Sequence, residues 1–319
     1  MGSSNSTRAT SPKEYALARR PAKLLSAPAS LAFSPLQHIQ HRISPRYESE
    51  SSQRERGSTL GLDHNVAACA KIHSNENESY RETVLDKRAF IKNVRNWEFA
   101  AVESALARDP VLAAYRDHIG KTPLHHCSET NPEKTALPVA ASLKTARALV
   151  SAGADVNAVR VIMDEGQEFH ARPLWYAVAW GKNIKLAQFL LDSGADPNGC
   201  MWAAVWDQDL GMAKLLHSHG AQIDPVANDE TPLLLAVKSR RFKLLDWLID
   251  NGADINFQDS SGCSGLHHAI RRKFTAAQVK TLLDRGADPT LKAKDGSTPA
   301  SLAGSQGRTK LVALLNQYT

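Results

Sequence analysis

At 319 residues, with 39 Lys and Arg against 33 Asp and Glu, the chain is long enough for about two ordinary domains and carries a formal charge of +6. Its four cysteines, Cys69, Cys127, Cys200 and Cys263, show no CxxC pairing and none of the density of a disulfide scaffold, which points to a reduced intracellular setting. No apolar run approaches the roughly 20 residues that span a bilayer.

Residues 1–47 are rich in Ser, Ala and Pro and hold Arg8, Lys13, Arg19, Arg20, Lys23, Arg42 and Arg46 against the single acid Glu14. That local excess equals the +6 of the whole protein, so the basic balance says little about the rest of the surface. The chain from Glu48 to Thr83 stays polar but mixes its charges. Residues 1–83 therefore read as a disordered arm and linker, with too little apolar surface to offset ordering entropy. Four readings of the arm stand side by side. Met1-Gly2-Ser3-Ser4-Asn5-Ser6 fits the N-myristoylation pattern, with Gly2 as acceptor and the nearby bases as the second signal a single acyl chain needs. The acid-poor run from Tyr15 to Phe33 has the composition of an organellar transit peptide, although Pro21 and Pro28 interrupt the required helix. A leader of a delivered bacterial effector has similar composition. Disorder without targeting is the fourth.

From Val84 the pattern becomes helical. Phe90, Val94, Ala101, Val102, Ala105 and Leu106 trace one face, and Asp109-Pro110 ends it. A helix-opening signal then recurs as Thr122-Pro123-Leu124-His125, Arg172-Pro173-Leu174-Trp175, Thr231-Pro232-Leu233, Ser264-Gly265-Leu266-His267 and Thr298-Pro299-Ala300-Ser301. The hydroxyl caps a helix, and Pro fits its first position because the missing N–H has no partner there. A closing signal recurs as Gly153-Ala154-Asp155, Gly194-Ala195-Asp196, Gly252-Ala253-Asp254 and Gly286-Ala287-Asp288, with Gly220-Ala221-Gln222 as a variant. Glycine enters the left-handed conformation that ends a helix at little cost. Each unit is a helix–turn–helix too small to bury its own apolar face.

Two intervals break the rhythm. Thr122 to Gly153 is about ten residues longer than Thr231 to Gly252, which places an inserted loop at 128–142 between the two helices of the second unit. Ahead of the third unit, Val159 to His170 reads as two β-prone runs around an acidic Gly turn, an extended hairpin finger. The fourth unit does the opposite: Gly194 to Gly220 is only about 26 residues, and the hairpin shrinks to Pro197-Asn198-Gly199.

These linked motifs closely resemble the ankyrin repeat family, whose consensus carries TPLH near the start and GAD-x-N near the end of about 33 residues. The resemblance covers about Val84 to Thr319. It implies an all-α solenoid of about seven helix–turn–helix units with short hairpin loops, in a domain spanning 84–319 behind the 1–83 arm. It also implies a non-enzymatic scaffold that binds a partner protein through a concave groove and hairpin loops. A secreted or membrane-tethered adaptor whose arm sets location is the alternative, and an enzyme built on the inserted loops is the more distant one.

Alignment of the units against the resemblance puts Trp180 and Trp206 at equivalent groove positions, followed by Ser239 and Arg272, with Lys238 and Arg271 just ahead. The tryptophans are expected to form one aromatic patch flanked by cations, the residue types that dominate binding hot spots. Filling of the space left by the short fourth hairpin is the competing reading. Val159, Arg160 and Phe169 of the finger complete the expected partner-binding set. The doublets His125-His126 and His267-His268 do not have chelating spacing, because adjacent helical residues point about 100° apart. The resemblance gives His125 and His267 a structural role between repeats. No phosphate-cradling Gly loop, nucleophile elbow or HExxH is present, so no cofactor, metal or catalytic residue is expected. Nucleic acid is disfavoured because the repeats are close to charge-balanced.

Overall fold

The computed structural model describes residues 86–164 and 167–319. The readings placed on the N-terminal arm, Gly2 and Cys69 among them, lie outside the described residues.

Helices come in antiparallel pairs. Residues 86–95 (α1) pair with Phe99–Arg108 (α2), and a 3-10 turn follows at Pro110–Ala114. Pro123–Glu129 (α3) pairs with Val139–Ser151 (α5), and the inserted loop between them carries one short helix, Pro132–Thr135 (α4). Pro173–Ala179 (α6) pairs with Ile184–Asp192 (α7), and Met201–Trp206 (α8) with Leu210–Ser218 (α9). The series ends with Pro232–Lys238 (α10) and Phe242–Asp250 (α11), Gly265–Arg271 (α12) and Ala276–Asp284 (α13), then Pro299–Ser305 (α14) and Thr309–Leu315 (α15). Each inner helix packs on the next: α3 on α6, α6 on α8, α8 on α10, α10 on α12 and α12 on α14. Nearest-neighbour stacking of this kind is what lets small units share one core.

The opening motif works as its chemistry dictates. Thr231 Oγ1 accepts from the Leu234 N–H at 3.3 Å. In the second unit the Thr122 N–H donates to His125 Nδ1 at 3.1 Å, which leaves Nε2–H to meet the Ala171 carbonyl of the next unit at 3.2 Å. His267 repeats this between Ser264 and the Ser297 carbonyl. Burial holds His125 down at about 4, so the neutral tautomer that the two bonds require is the stable one. The closing motif adds a ladder. Asn157 Nδ2 donates to the Gly194 carbonyl at 2.9 Å and its Oδ1 accepts from the Asp196 N–H at 2.8 Å. Asn256 does the same to Gly286 and Asp288.

The finger is a two-stranded antiparallel ribbon, Arg160–Asp164 (β1) with Gln167–Ala171 (β2), in the register Ile162 to Phe169. Phe169 meets Trp175 edge-on at 5.0 Å between ring centroids, and this anchors the ribbon to α6.

Candidate functional site

The joint between inner and outer helix is marked by one residue with positive φ: Lys182, Gln208, Arg240 and Lys273 in the third to sixth units. Two residues before it stand Trp180, Trp206, Lys238 and Arg271. Counted along the inner helices, however, the expected equivalence of the tryptophans does not hold: Trp206, like Lys238 and Arg271, is the last residue of its helix, whereas Trp180, like Asp207, Ser239 and Arg272, caps the helix end. The third unit caused the slip, because its joint holds one extra residue. Gly181 is not the left-handed residue there. It is Gly because a Cβ would sit 2.3 Å from the Ser128 carbonyl oxygen.

Trp180 and Trp206 are half-buried and pack against the core with one side. They do not stack on each other, which corrects the expectation of a single aromatic patch. The ring contacts nearby are Phe169–Trp175 and Trp175–Tyr176, at 5.0 and 5.2 Å between centroids, and neither Trp180 nor Trp206 takes part. Trp180 Nε1 is buried with no hydrogen-bond partner.

The other expected site residues divide. Lys238 is held inside the solenoid, paired with Glu230 and 3.6 Å from Asp259. Arg160 is committed to the Tyr176 hydroxyl at 2.5 Å and the Ile119 carbonyl at 3.1 Å, and half-buried Val159 lends its carbonyl to Arg116 at 2.8 Å. Phe169 is spent on Trp175. Arg271 and Arg272 remain exposed, with no carboxylate within ion-pair distance among the described residues. Sequence reasoning missed Val161 and Met163, 51% and 60% exposed on the outer face of the finger, beside Ile119 at 40%. The period-2 alternation of the strand carried that signal. The shrunken hairpin of the fourth unit leaves a cleft of about 400 Å³ against the finger, lined by Phe169, Arg172, Trp175, Asp196, Asn198 and Gly199.

Asp259, Cys263 and His268 bring donor atoms within 4.8 Å of one another. A cation does not suit them. Asp259 Oδ1 already accepts from Ser261 and from the Cys263 N–H, Oδ2 from His268 at 2.7 Å, and the Lys238 ammonium occupies the adjacent space. In the second unit, the Asp117–His126 pair at 2.9 Å repeats this geometry with Lys121 where the thiol would be. The arrangement is structural in both places.

Comparison with known proteins agrees with the geometry. The family model described as ankyrin repeats, three copies, matches residues 174–259 and again 242–319. An ankyrin repeat protein of Rickettsia bellii (strain RML369-C) is 34% identical over 143 residues, 41% of this chain and 58% of that protein. One from fowlpox virus (strain NVSL) is 30% identical over 138 residues, 42% of this chain and 23% of that protein. The chain thus spans less than two thirds of either relative. The crystal structure of the ankyrin repeat domain of Bcl-3 superposes with a TM-score of 0.53 at 25% identity, over 71% of this chain and 97% of that domain. The fold is a repeat solenoid. The chain carries ankyrin repeats and is an ankyrin-repeat protein.

Proposed function

We propose that residues 84–319 form a non-enzymatic module that binds a partner protein through the groove face of its inner helices, with 1–83 as a separate arm. The observation that carries this reading is the pair Trp180 and Trp206, held at the inner-helix ends of consecutive units and each left half-exposed. Large aromatics offer much contact area for little lost side-chain freedom. The exposed Ile119, Val161 and Met163 on the finger side extend the apolar surface. The chemistry of the interior supports a binding role over catalysis. Burial pushes the Cys127 and Cys200 thiols up to about 12, which makes both inert as nucleophiles. Asp117 and Glu129 are ionised in closed pairs at about 2, far from the range of a general acid or base at neutral pH. Among the described residues no helix is long and apolar enough to cross a membrane.

The test measures denaturation midpoint and partner affinity on the same proteins, after the partner has been identified by affinity capture and mass spectrometry. Trp180→Ala and Trp206→Ala are each expected to weaken binding by about 2 kcal/mol or more, with a smaller loss of stability than the roughly 3–5 kcal/mol of a fully buried Trp. If both variants unfold early yet bind normally whenever folded, the groove assignment fails.

A further inference from the structure

We infer that the joint between the fifth and sixth units binds an acidic, extended segment of the partner. The inference rests on the protein-binding reading and specifies the chemistry of what is bound.

The repeat period brings two basic runs together. Arg240 and Arg241 close α10, and Arg271, Arg272 and Lys273 close α12 on the next unit. Contact between them is direct: Arg240 Nη1 donates to the Arg272 carbonyl at 3.1 Å, and its guanidinium lies 5.6 Å from the Phe274 ring centroid and 5.9 Å from that of Phe242. Arg240 is thereby laid across the neighbouring joint in one orientation, with most of its five N–H donors still unclaimed. Arg240, Arg271, Arg272 and Lys273 are exposed, and Arg241 is half-buried with its Nε–H lacking any partner. No carboxylate oxygen lies within 4 Å of any of the five among the described residues. Asp295 feels the charge of Arg271 only through space.

This concentration is not what the free fold needs. Like charges on adjacent units repel, at some cost to the free fold. Other cations beside the inner helices are neutralised: Lys121 by Glu129, Lys182 by Asp207, and Lys238 by Glu230 and Asp259. At this joint, by contrast, five cations gather without a carboxylate partner among the described residues. Planar guanidinium groups suit carboxylates, which they engage with two parallel hydrogen bonds. A run of Asp or Glu in extended chain, rising about 3.3 Å per residue, presents alternate side chains about 6.6 Å apart to guanidiniums fixed on neighbouring helices. The occupant we assign is therefore an acidic polypeptide, with its apolar neighbours reaching toward Trp206.

A ten-residue oligoglutamate carrying a fluorophore and a photo-crosslinker tests this on the full chain, by anisotropy and by mass-spectrometric mapping. Arg271→Gln with Arg272→Gln is expected to lower affinity at least tenfold, and crosslinks should concentrate on 238–274. Arg88→Gln with Lys92→Gln, an equal loss of charge on exposed residues of α1, should change affinity less than twofold. The Arg271/Arg272 variant should also melt at the same temperature or slightly higher, because repulsion is relieved. The inference is overturned if the control variant weakens binding as much, if crosslinks map elsewhere, or if a single-stranded oligonucleotide of equal charge binds more tightly than the peptide. Partner binding that falls with Trp180→Ala but is untouched by the arginine variant would sink this inference alone and leave the protein-binding reading standing.

Discussion

In the second unit, Lys121, Glu129, His126 and Asp117 close into one network inside a single repeat. Across the fifth and sixth units, Lys238, Glu230, Asp259 and His268 build the same kind of network over two repeats. The local geometry is common to both: a histidine just after the TPLH position reaches back nine residues to the aspartate of its own hairpin turn, at 2.9 Å for His126 and 2.7 Å for His268. What differs is depth. The side chain of Lys121 is 4% exposed, lies 4.8 Å from the centre of the Tyr176 ring and is paired with Glu129, whereas that of Lys238 is 20% exposed. Arg160 of the finger hydrogen-bonds the Tyr176 hydroxyl beside Lys121, and the fifth unit has no such finger. The acids differ little, Glu129 at 19% exposed against Glu230 at 21%. The difference lies at the lysine, buried beside the finger in one network and within reach of water in the other.

Breaking each pair should show that difference most strongly. Glu129→Ala leaves a buried ammonium without its anion, and removal of one partner of a buried pair costs about 3–5 kcal/mol. Glu230→Ala leaves Lys238 near water and still beside Asp259, so about 1 kcal/mol or less is expected. Urea denaturation of the two variants checks this. Equal losses would mean that the depth of the lysine does not set the cost.

Acid should separate the networks next. Burial alone would raise Asp117 and Glu129, but hydrogen bonds from His126 and the charge of Lys121 beside Glu129 hold both at about 2. Asp259 is likewise held at about 2 against burial, by Ser261, His268 and the Cys263 N–H. Unfolded, these groups titrate at 3.8 for Asp and 4.5 for Glu. Their stabilisation is therefore complete above about 4.5 and is lost as pH falls toward 2. His125 and His268 are pushed down by burial to about 4, from 6.5. Protons prefer the unfolded chain in that window, so histidine-linked stability begins to fall below about 6.5 and levels off near 4. Melting temperature against pH should show a shallow decline from 6.5 to 4 and a steeper one below. Asp117→Asn with Glu129→Gln should flatten the lower limb more than Asp259→Asn does.

Much of this was legible in the chain. The capping residues, the left-handed Gly252 and the two irregular intervals follow from local steric rules, and each takes the place the sequence implied. The finger was readable because two β-prone runs flank an acidic Gly turn. The networks were not. His126 and His268 look like spare histidines in one dimension, since their partners Asp117 and Asp259 lie in the preceding turn and become neighbours only when the hairpin folds back. Lys238 looked free for the same reason: the Asp259 that engages it belongs to the next unit. The extra residue at Gly181 shifted the groove register because positive φ, which marks the joint, falls there on Lys182 and not on the glycine.

The smallest expected effect concerns the ladder beneath the fourth and fifth units, and it runs toward greater stability. Asn157 and Asn256 each use both ends of the carboxamide, Nδ2 to a glycine carbonyl and Oδ1 to an N–H of the next unit. Asp224 stands at the equivalent position. Its Oδ2 accepts from the Asp254 N–H at 2.6 Å, but Oδ1 is buried with no hydrogen-bond partner, where a carboxamide would donate. Burial accordingly raises the carboxyl above its ordinary value. An acid raised in the folded state is a liability when ionised, and stability returns as pH falls through the folded value. Asp224→Asn should therefore add about 1 kcal/mol at neutral pH, the net worth of one hydrogen bond restored, or a rise of roughly 2–4 °C for a domain of this size. The gain should shrink in acid as Asp224 itself becomes a donor. A variant that gains nothing at pH 7, or gains equally at pH 4, would show that the open carboxylate oxygen is satisfied by solvent and that the ladder at this junction is already complete.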